Sequence, residues 1–147
     1  MTALTRDTQR AFGIHQEQHL PLPVAAGTAV WAGALVATNA AGLAVPAADT
    51  AGLTVHGICR TGYDNRGGAP GTLGTAADYS AAQRFVRVDH QGEWELAVTG
   101  ALPRPGQLAL ALDDNTVTAA PTANNIPAGR FTRPAGPSTW FVDVERR

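Results

Sequence analysis

The chain has 147 residues, of which 44% are apolar, and a formal net charge of -1. A chain of this length hides roughly two thirds of its unfolded surface, so one domain with a genuine core is expected. A balance this close to neutral gives no global field to gather nucleic acid or an anionic membrane surface, so neither is expected as a partner. Cys59 is the only cysteine, which excludes an internal disulfide and any multi-cysteine metal site. No run of about 18 apolar residues spans a bilayer, and the first ten residues lack the apolar core of a signal peptide. A soluble protein made in the cytoplasm is expected.

In chain order, residues 1–23 come first. They are polar, rich in Gln, His and Arg, and closed by Pro21 and Pro23, which forbid helix continuation. Leu4, Phe12 and Ile14 are too sparse for a stable isolated amphipathic helix, so the segment reads as an extended N-terminal arm that orders against a partner or its own domain. Residues 24–147 then read as a single β-rich domain, with alternation, β-branched residues, and glycine, proline, Asn or Asp at every break. Strands are expected near 28–31, 34–38, 43–45, 53–60, 83–90, 93–99, 107–112, 116–119, 128–132 and 139–145. This density predicts an all-β sandwich or barrel.

Two stretches echo each other. Residues 27–49 run strand, Asn/Gly turn, strand and proline, and residues 106–121 repeat that order around Asp113, Asp114 and Asn115. In both cases a glycine follows and opens another strand, Gly57 in one and Gly129 in the other. Between them, residues 60–80 form a glycine-rich polar excursion too long for a simple turn, and loops of this kind are usually functional or disordered. Residues 84–98 read as the clearest hairpin, turning at Gln91 and Gly92, with Val86, Val88, Trp94, Leu96 and Val98 inward and Arg87, Asp89, Glu93 and Glu95 outward. Trp140, Val142 and Val144 follow the same rule in the last strand. Burying one such apolar triplet is worth roughly 5 to 8 kcal/mol before entropy is charged.

The residues that bear chemistry do not assemble into a recognisable catalytic pattern. Ser80 and Ser138 are the only serines, and neither sits in a Gly-x-Ser-x-Gly elbow. On an extended strand Cys59 points away from His56, so a buried structural cysteine is the better reading than a nucleophile. His15 and His19 share the i, i+4 spacing of a metal pair, but no third ligand accompanies them and Pro21 truncates the helix they would need. Asp113, Asp114 and Asn115 lack the alternating ligands and terminal glutamate of a calcium loop and read as a hairpin turn. Glu93 and Glu95 flank Trp94 about 7 Å apart along the backbone, yet no aromatic sugar platform accompanies this pair. The glycines at 67, 68 and 71 lack the Lys-Ser/Thr ending of a phosphate loop. No enzyme, cofactor or metal site is expected.

The order and spacing of several motifs are familiar. These are Ala-Gly-Thr at 26–28, Gly-Ala-Leu-Val at 33–36, Ala-Val-Pro-Ala at 44–47, the strand through Gly57, Asp-Asp-Asn-Thr-Val at 113–117 and Trp-Phe-Val-Asp-Val at 140–144. Together they resemble the small capsid cement, or head decoration, proteins of tailed phages, over most of residues 24–145. The resemblance implies a β-rich, jelly-roll or barrel-like, non-enzymatic protein on the outer surface of an icosahedral head. There it binds the junctions between major capsid protein subunits and stabilises the shell against internal DNA pressure. A second copy of the chain is a further implied partner, a homodimer before a trimer. The arm and the 60–80 loop depart from the shorter members. Arg6, Arg10, Phe12, Ile14, His15, His19 and Leu20 in the arm, with Tyr63 and Arg66 in the loop, are the residues expected to touch capsid or copy, Arg6 and Arg10 by pairing with carboxylates. The competing expectation is a phage fibre or adhesin module that binds host glycan, which requires an exposed aromatic cluster drawn from Trp31, Trp94 and Trp140.

Overall fold

The computed structural model describes residues 3–8, 19–66 and 85–144. These residues form an all-β protein with no helix among them. Its strands are β1 (His19–Pro23), β2 (Ala29–Val30), β3 (Leu35–Thr38), β4 (Ala44–Pro46), β5 (Thr54–Thr61), β6 (Tyr63–Asp64), β7 (Phe85–Asp89), β8 (Glu93–Val98), β9 (Leu108–Ala111), β10 (Thr116–Thr118), β11 (Pro127–Gly136) and β12 (Thr139–Asp143). All ten expected strands are present within a few residues. β1 and β6 had been read as arm and loop.

The strands form one five-stranded sheet in the order β1-β7-β5-β3-β4, a closed five-stranded barrel in the order β10-β8-β12-β11-β9, and a two-stranded ribbon of β2 and β6. The two larger assemblies are copies of one plan. β3, β4, β5 and β7 pair as β9, β10, β11 and β12 do, and β1 lies against β7 as β8 lies against β12. The correspondence extends to single residues. Val36 faces Gly57 as Ala109 faces Gly129, and Ile58 faces Asp89 as Arg130 faces Asp143, with register shifts at the same two places in each unit. Val98 closes the barrel by a parallel pairing with Val117, and its counterpart Val24 makes a parallel bridge to Ala44. The echo between 27–49 and 106–121 is therefore the sequence trace of a duplicated β-unit.

This strand order differs from a jelly roll, in which consecutive strands alternate between two sheets. Here each half of the chain completes its own unit. The expected 84–98 hairpin is corrected accordingly: β7 pairs with β1 and β5, whereas β8 pairs with β12 and β10. Gln91 and Gly92 form the passage from one unit to the next. Alternation predicted which residues face inward, and Val86, Val88, Trp94 and Leu96 are all buried, but alternation carries no information about the neighbouring strand. Asp89, expected outward, is buried and accepts a hydrogen bond from Arg60 Nε at 3.1 Å.

The two interiors are filled differently. At equivalent positions the first unit has Cys59, Val86 and Leu20 where the second has Phe131, Trp140 and Trp94. Phe131 and Trp140 meet edge to face, 5.9 Å between centroids, and with Trp94 they add aromatic bulk to the aliphatic residues of that cluster. The smaller residues of the first unit leave room that other segments occupy: Val30 of β2, Tyr63 of β6, Leu22 and Leu4 all pack on the cluster around Val36, Cys59, Val86 and Val88. Leu35, Ala37, Ala47 and Ile58, on the outer face of the first unit, join the core of the second, so the units share one apolar cluster.

Candidate functional site

Two places gather polar side chains with defined partners: the seam between the units, and the end of the first unit where residues 3–8 meet the β2–β6 ribbon. At the seam, Asp49 ends the first echo motif and reaches into the loop between β10 and β11. Its Oδ1 accepts from Thr122 Oγ1 at 2.9 Å and from the Asn124 amide at 2.9 Å, and its Oδ2 accepts from the Ala123 amide at 3.1 Å. Asn124 Nδ2 donates to the Asp49 carbonyl oxygen at 2.8 Å. Desolvation pushes its carboxyl pKa upward, but the hydrogen bonds from Thr122, Asn124 and Ala123 outweigh it and hold the group below its ordinary value. Nearby, the Leu35 amide donates to the Asp114 carbonyl oxygen at 2.8 Å. Asp113, Asp114 and Asn115 are a hairpin turn, as expected, and Asp114 is also a junction.

At the other place, residues 3–8 dock on their own chain. The Thr8 amide donates to the Ala32 carbonyl oxygen at 2.6 Å, the Ala32 amide donates to Asp7 Oδ1 at 2.7 Å, and the Leu4 amide donates to Asp114 Oδ1 at 2.8 Å. The docked segment lies so close that a Cβ on Gly33 would collide with the Thr8 carbonyl. Next to it the β2–β6 ribbon carries Trp31, Tyr63, Asp64 and Arg66. Arg66 is bound to Asp64 through Nε at 2.9 Å and Nη2 at 2.7 Å, and its guanidinium lies 5.4 Å from the Trp31 ring centroid. The Arg66 side chain and amide hold the Asp64 carboxyl down at about 2, and the carboxylate raises the Arg66 pKa in turn.

The expected contact residues divide accordingly. Arg6 is exposed in the docked segment, and Tyr63 and Arg66 lie on the adjoining ribbon, so these three share one end of the first unit. Leu20 does not join them: it lies in β1 opposite Val88 and packs on the first core. His19 holds the β1 position opposite Asp89. Residues 19–23, read as arm, are thus a sheet strand. Arg10, Phe12, Ile14 and His15 lie outside the described residues, as does most of the 60–80 excursion. Its extra length is legible in the duplication. Equivalent residues are 72 positions apart at Gly57 and Gly129 but 54 apart at Asp89 and Asp143, so the first unit carries 18 residues before its last strand that the second lacks.

Of the residues weighed for catalysis, His15 and Ser80 lie outside the described residues, and Cys59, His56, Glu93 and Glu95 are described. Cys59 is buried, and burial first, then the Asp7 and Asp89 carboxylates, push its thiol up to about 12. His56 is buried and its Nε2 lies 2.7 Å from Thr38 Oγ1. Glu95 accepts from Thr139 Oγ1 at 2.8 Å, and Glu93 pairs with Arg133 at 3.3 Å, whose guanidinium also covers the Phe141 ring. Trp94 and Trp140 are core residues, leaving only Trp31 half-exposed. Among the described residues no group of three His, Cys, Asp or Glu is placed to hold a metal ion. No helix among the described residues is long and apolar enough to cross a membrane. Asp7, Asp49 and Asp114, which tie segment to unit and unit to unit, had no signal in the sequence beyond their position next to turns. Comparison with protein-family models, curated proteins and solved structures finds no match to this chain.

Proposed function

We propose that this chain is a structural cement protein of a viral icosahedral head. It binds the outer surface at junctions of the major capsid protein and holds the shell against the outward pressure of packaged DNA. The observation that carries the reading is the ordered series of motifs at 26–57, 110–117 and 140–144, which resembles phage head decoration proteins. It is supported by where those motifs lie, in the duplicated units, while residues 3–8 of the arm and residues 63–66 of the excursion adjoin at one end of the first unit. Of the two described arginines expected at the contact, Arg66 is already bound to Asp64, which leaves the exposed Arg6 for a capsid carboxylate.

The mechanism is physical rather than chemical. A clip across two capsid subunits adds interface that must be broken before the shell opens, and its repetition over the lattice lets modest contacts suffice. A rigid body suits this task, because a body that yields under load stores no resistance. The shared core and the Asp49 clamp supply that rigidity here. The test is co-sedimentation with DNA-filled heads of the encoding virus, followed by heating. Full-length protein is expected to co-sediment and to raise the rupture temperature, and a chain lacking residues 1–18 to lose binding while keeping β1 and its fold. Failure of the full chain to bind, or undiminished binding by the truncated one, refutes the reading.

A further inference from the structure

The duplication leaves a pair of complementary surfaces unused. In the first unit Leu35 opens β3, is fully buried, and donates its amide to the Asp114 carbonyl oxygen in the turn between β9 and β10. In the second unit the same place belongs to Leu108, which opens β9, and it is 40% exposed. Leu108 lines a groove of about 470 Å³ with Leu53, Val55, Pro127, Arg130 and Val144. The turn that accepts the Leu35 amide also has a counterpart. Residues 112–116 are closed by a Leu112 amide to Thr116 carbonyl bond at 3.0 Å, and residues 39–43 by the equivalent Asn39 to Leu43 bond at 3.0 Å. Asp114 is buried at the tip of the first of these turns, whereas Ala40 and Ala41 stand exposed on the other.

Among the described residues, therefore, this turn-on-strand contact is made once. There the 39–43 turn of the first unit is exposed at its tip and Leu108 of the second remains 40% exposed. The groove lining does not include residues 39–43, so the chain's own turn does not cover its own Leu108. We propose that a second copy of this chain docks its 39–43 turn against the Leu108 groove, as the 112–116 turn docks on the start of β3 and accepts the Leu35 amide within each chain. The turn is uncharged and small-tipped, which suits a groove lined mainly by Leu53, Val55, Leu108, Pro127 and Val144. Such a contact is head-to-tail: the two surfaces are different, so copies add in rings or open chains.

The test uses purified full-length protein without heads, so its outcome is separate from that of the proposed function. Sedimentation velocity from micromolar to millimolar concentration is expected to show reversible association. Leu108→Asp and Ala41→Arg are each expected to give monomers, with Ala40→Arg as a second turn variant and thermal unfolding confirming that each is folded. Mixed in equal amounts, Leu108→Asp and Ala41→Arg retain one intact turn and one intact groove between them. They are expected to form a heterodimer that stops at two copies. A wild-type protein that stays monomeric, an oligomer that survives both substitutions, or folded variants that do not combine when mixed would overturn the proposal.

Discussion

Replacing Gly57 by alanine puts a methyl group where the Asp89 carbonyl oxygen already lies, and Gly129→Ala does the same to Asp143. Both glycines have φ near 155°, a region that is almost closed to other residues, and this strain alone costs about 1–3 kcal/mol. Relief of the collision requires β5 to move off β7, or β11 off β12. A ladder hydrogen bond is then lost and a buried carbonyl left unsatisfied, which costs about a further 1–3 kcal/mol. Each variant is expected to lose about 2–6 kcal/mol. Gly106→Ala separates the two contributions: its φ is 84° but nothing lies within 4 Å of the added carbon, so it carries strain alone, about 1–2 kcal/mol. Urea unfolding followed by tryptophan fluorescence measures all three. If Gly57→Ala and Gly129→Ala prove no more costly than Gly106→Ala, the close approach does not carry the energy assigned to it and the equivalence of the two bulges loses its physical basis.

Because Leu35, Ala37, Ala47 and Ile58 pack into the core of the second unit, the protein is expected to unfold in a single transition, and two resolved transitions in calorimetry contradict the shared core. The Asp49 carboxyl is held below its ordinary value in the folded state, so its contribution is present above the unfolded pKa near 3.8 and fades as pH falls through the folded value. The melting-temperature difference between wild type and Asp49→Asn is therefore expected to be largest near neutrality and to shrink below about pH 4. For Cys59 the sign is reversed in pH: the unfolded thiol ionises near 9 while the folded one stays protonated to about 12, so stability declines as pH rises from 9. Cys59→Ala removes that decline, and in the wild type a thiol reagent is expected to react only as fast as the protein opens. Arg60→Ala strips a guanidinium from the buried Asp89 carboxylate; with Arg60 itself 39% exposed, a loss of about 2–3 kcal/mol in urea unfolding is expected, below that of a fully buried pair.

The sequence by itself determined the strands and their inward residues. Alternation and glycine breaks located ten strands, because a residue's side of a strand follows from its parity alone. The paired motifs at 27–49 and 106–121, with Gly57 and Gly129 behind them, also recorded the duplication, since equivalent turns and bulges demand equivalent glycines. The candidate contact residues were legible only as positions in polar segments. Tyr63 and Arg66 come together with Arg6 because Ala29 and Val30 pair with Tyr63 and Asp64, a contact between segments more than 30 residues apart that local composition does not encode.

What only the tertiary structure decided was partnership. Gln91 and Gly92 look like a hairpin turn, yet β7 is claimed by β1 and β5 and β8 by β12, because each strand completes the unit that its own half of the chain builds. Leu20 and Pro21 read as arm but belong to a sheet, for β7 needs a neighbour on its far side. Asp89 alternates outward and is nevertheless buried beside Arg60, and Leu35 and Leu108 hold the same place in the repeat with opposite exposure. Parity is set by the backbone of one strand, whereas exposure and pairing depend on which surface arrives to cover it. In this chain the two equivalent faces are covered differently, Leu35 being fully buried against the second unit while Leu108 stays 40% exposed, and that asymmetry exists only in three dimensions.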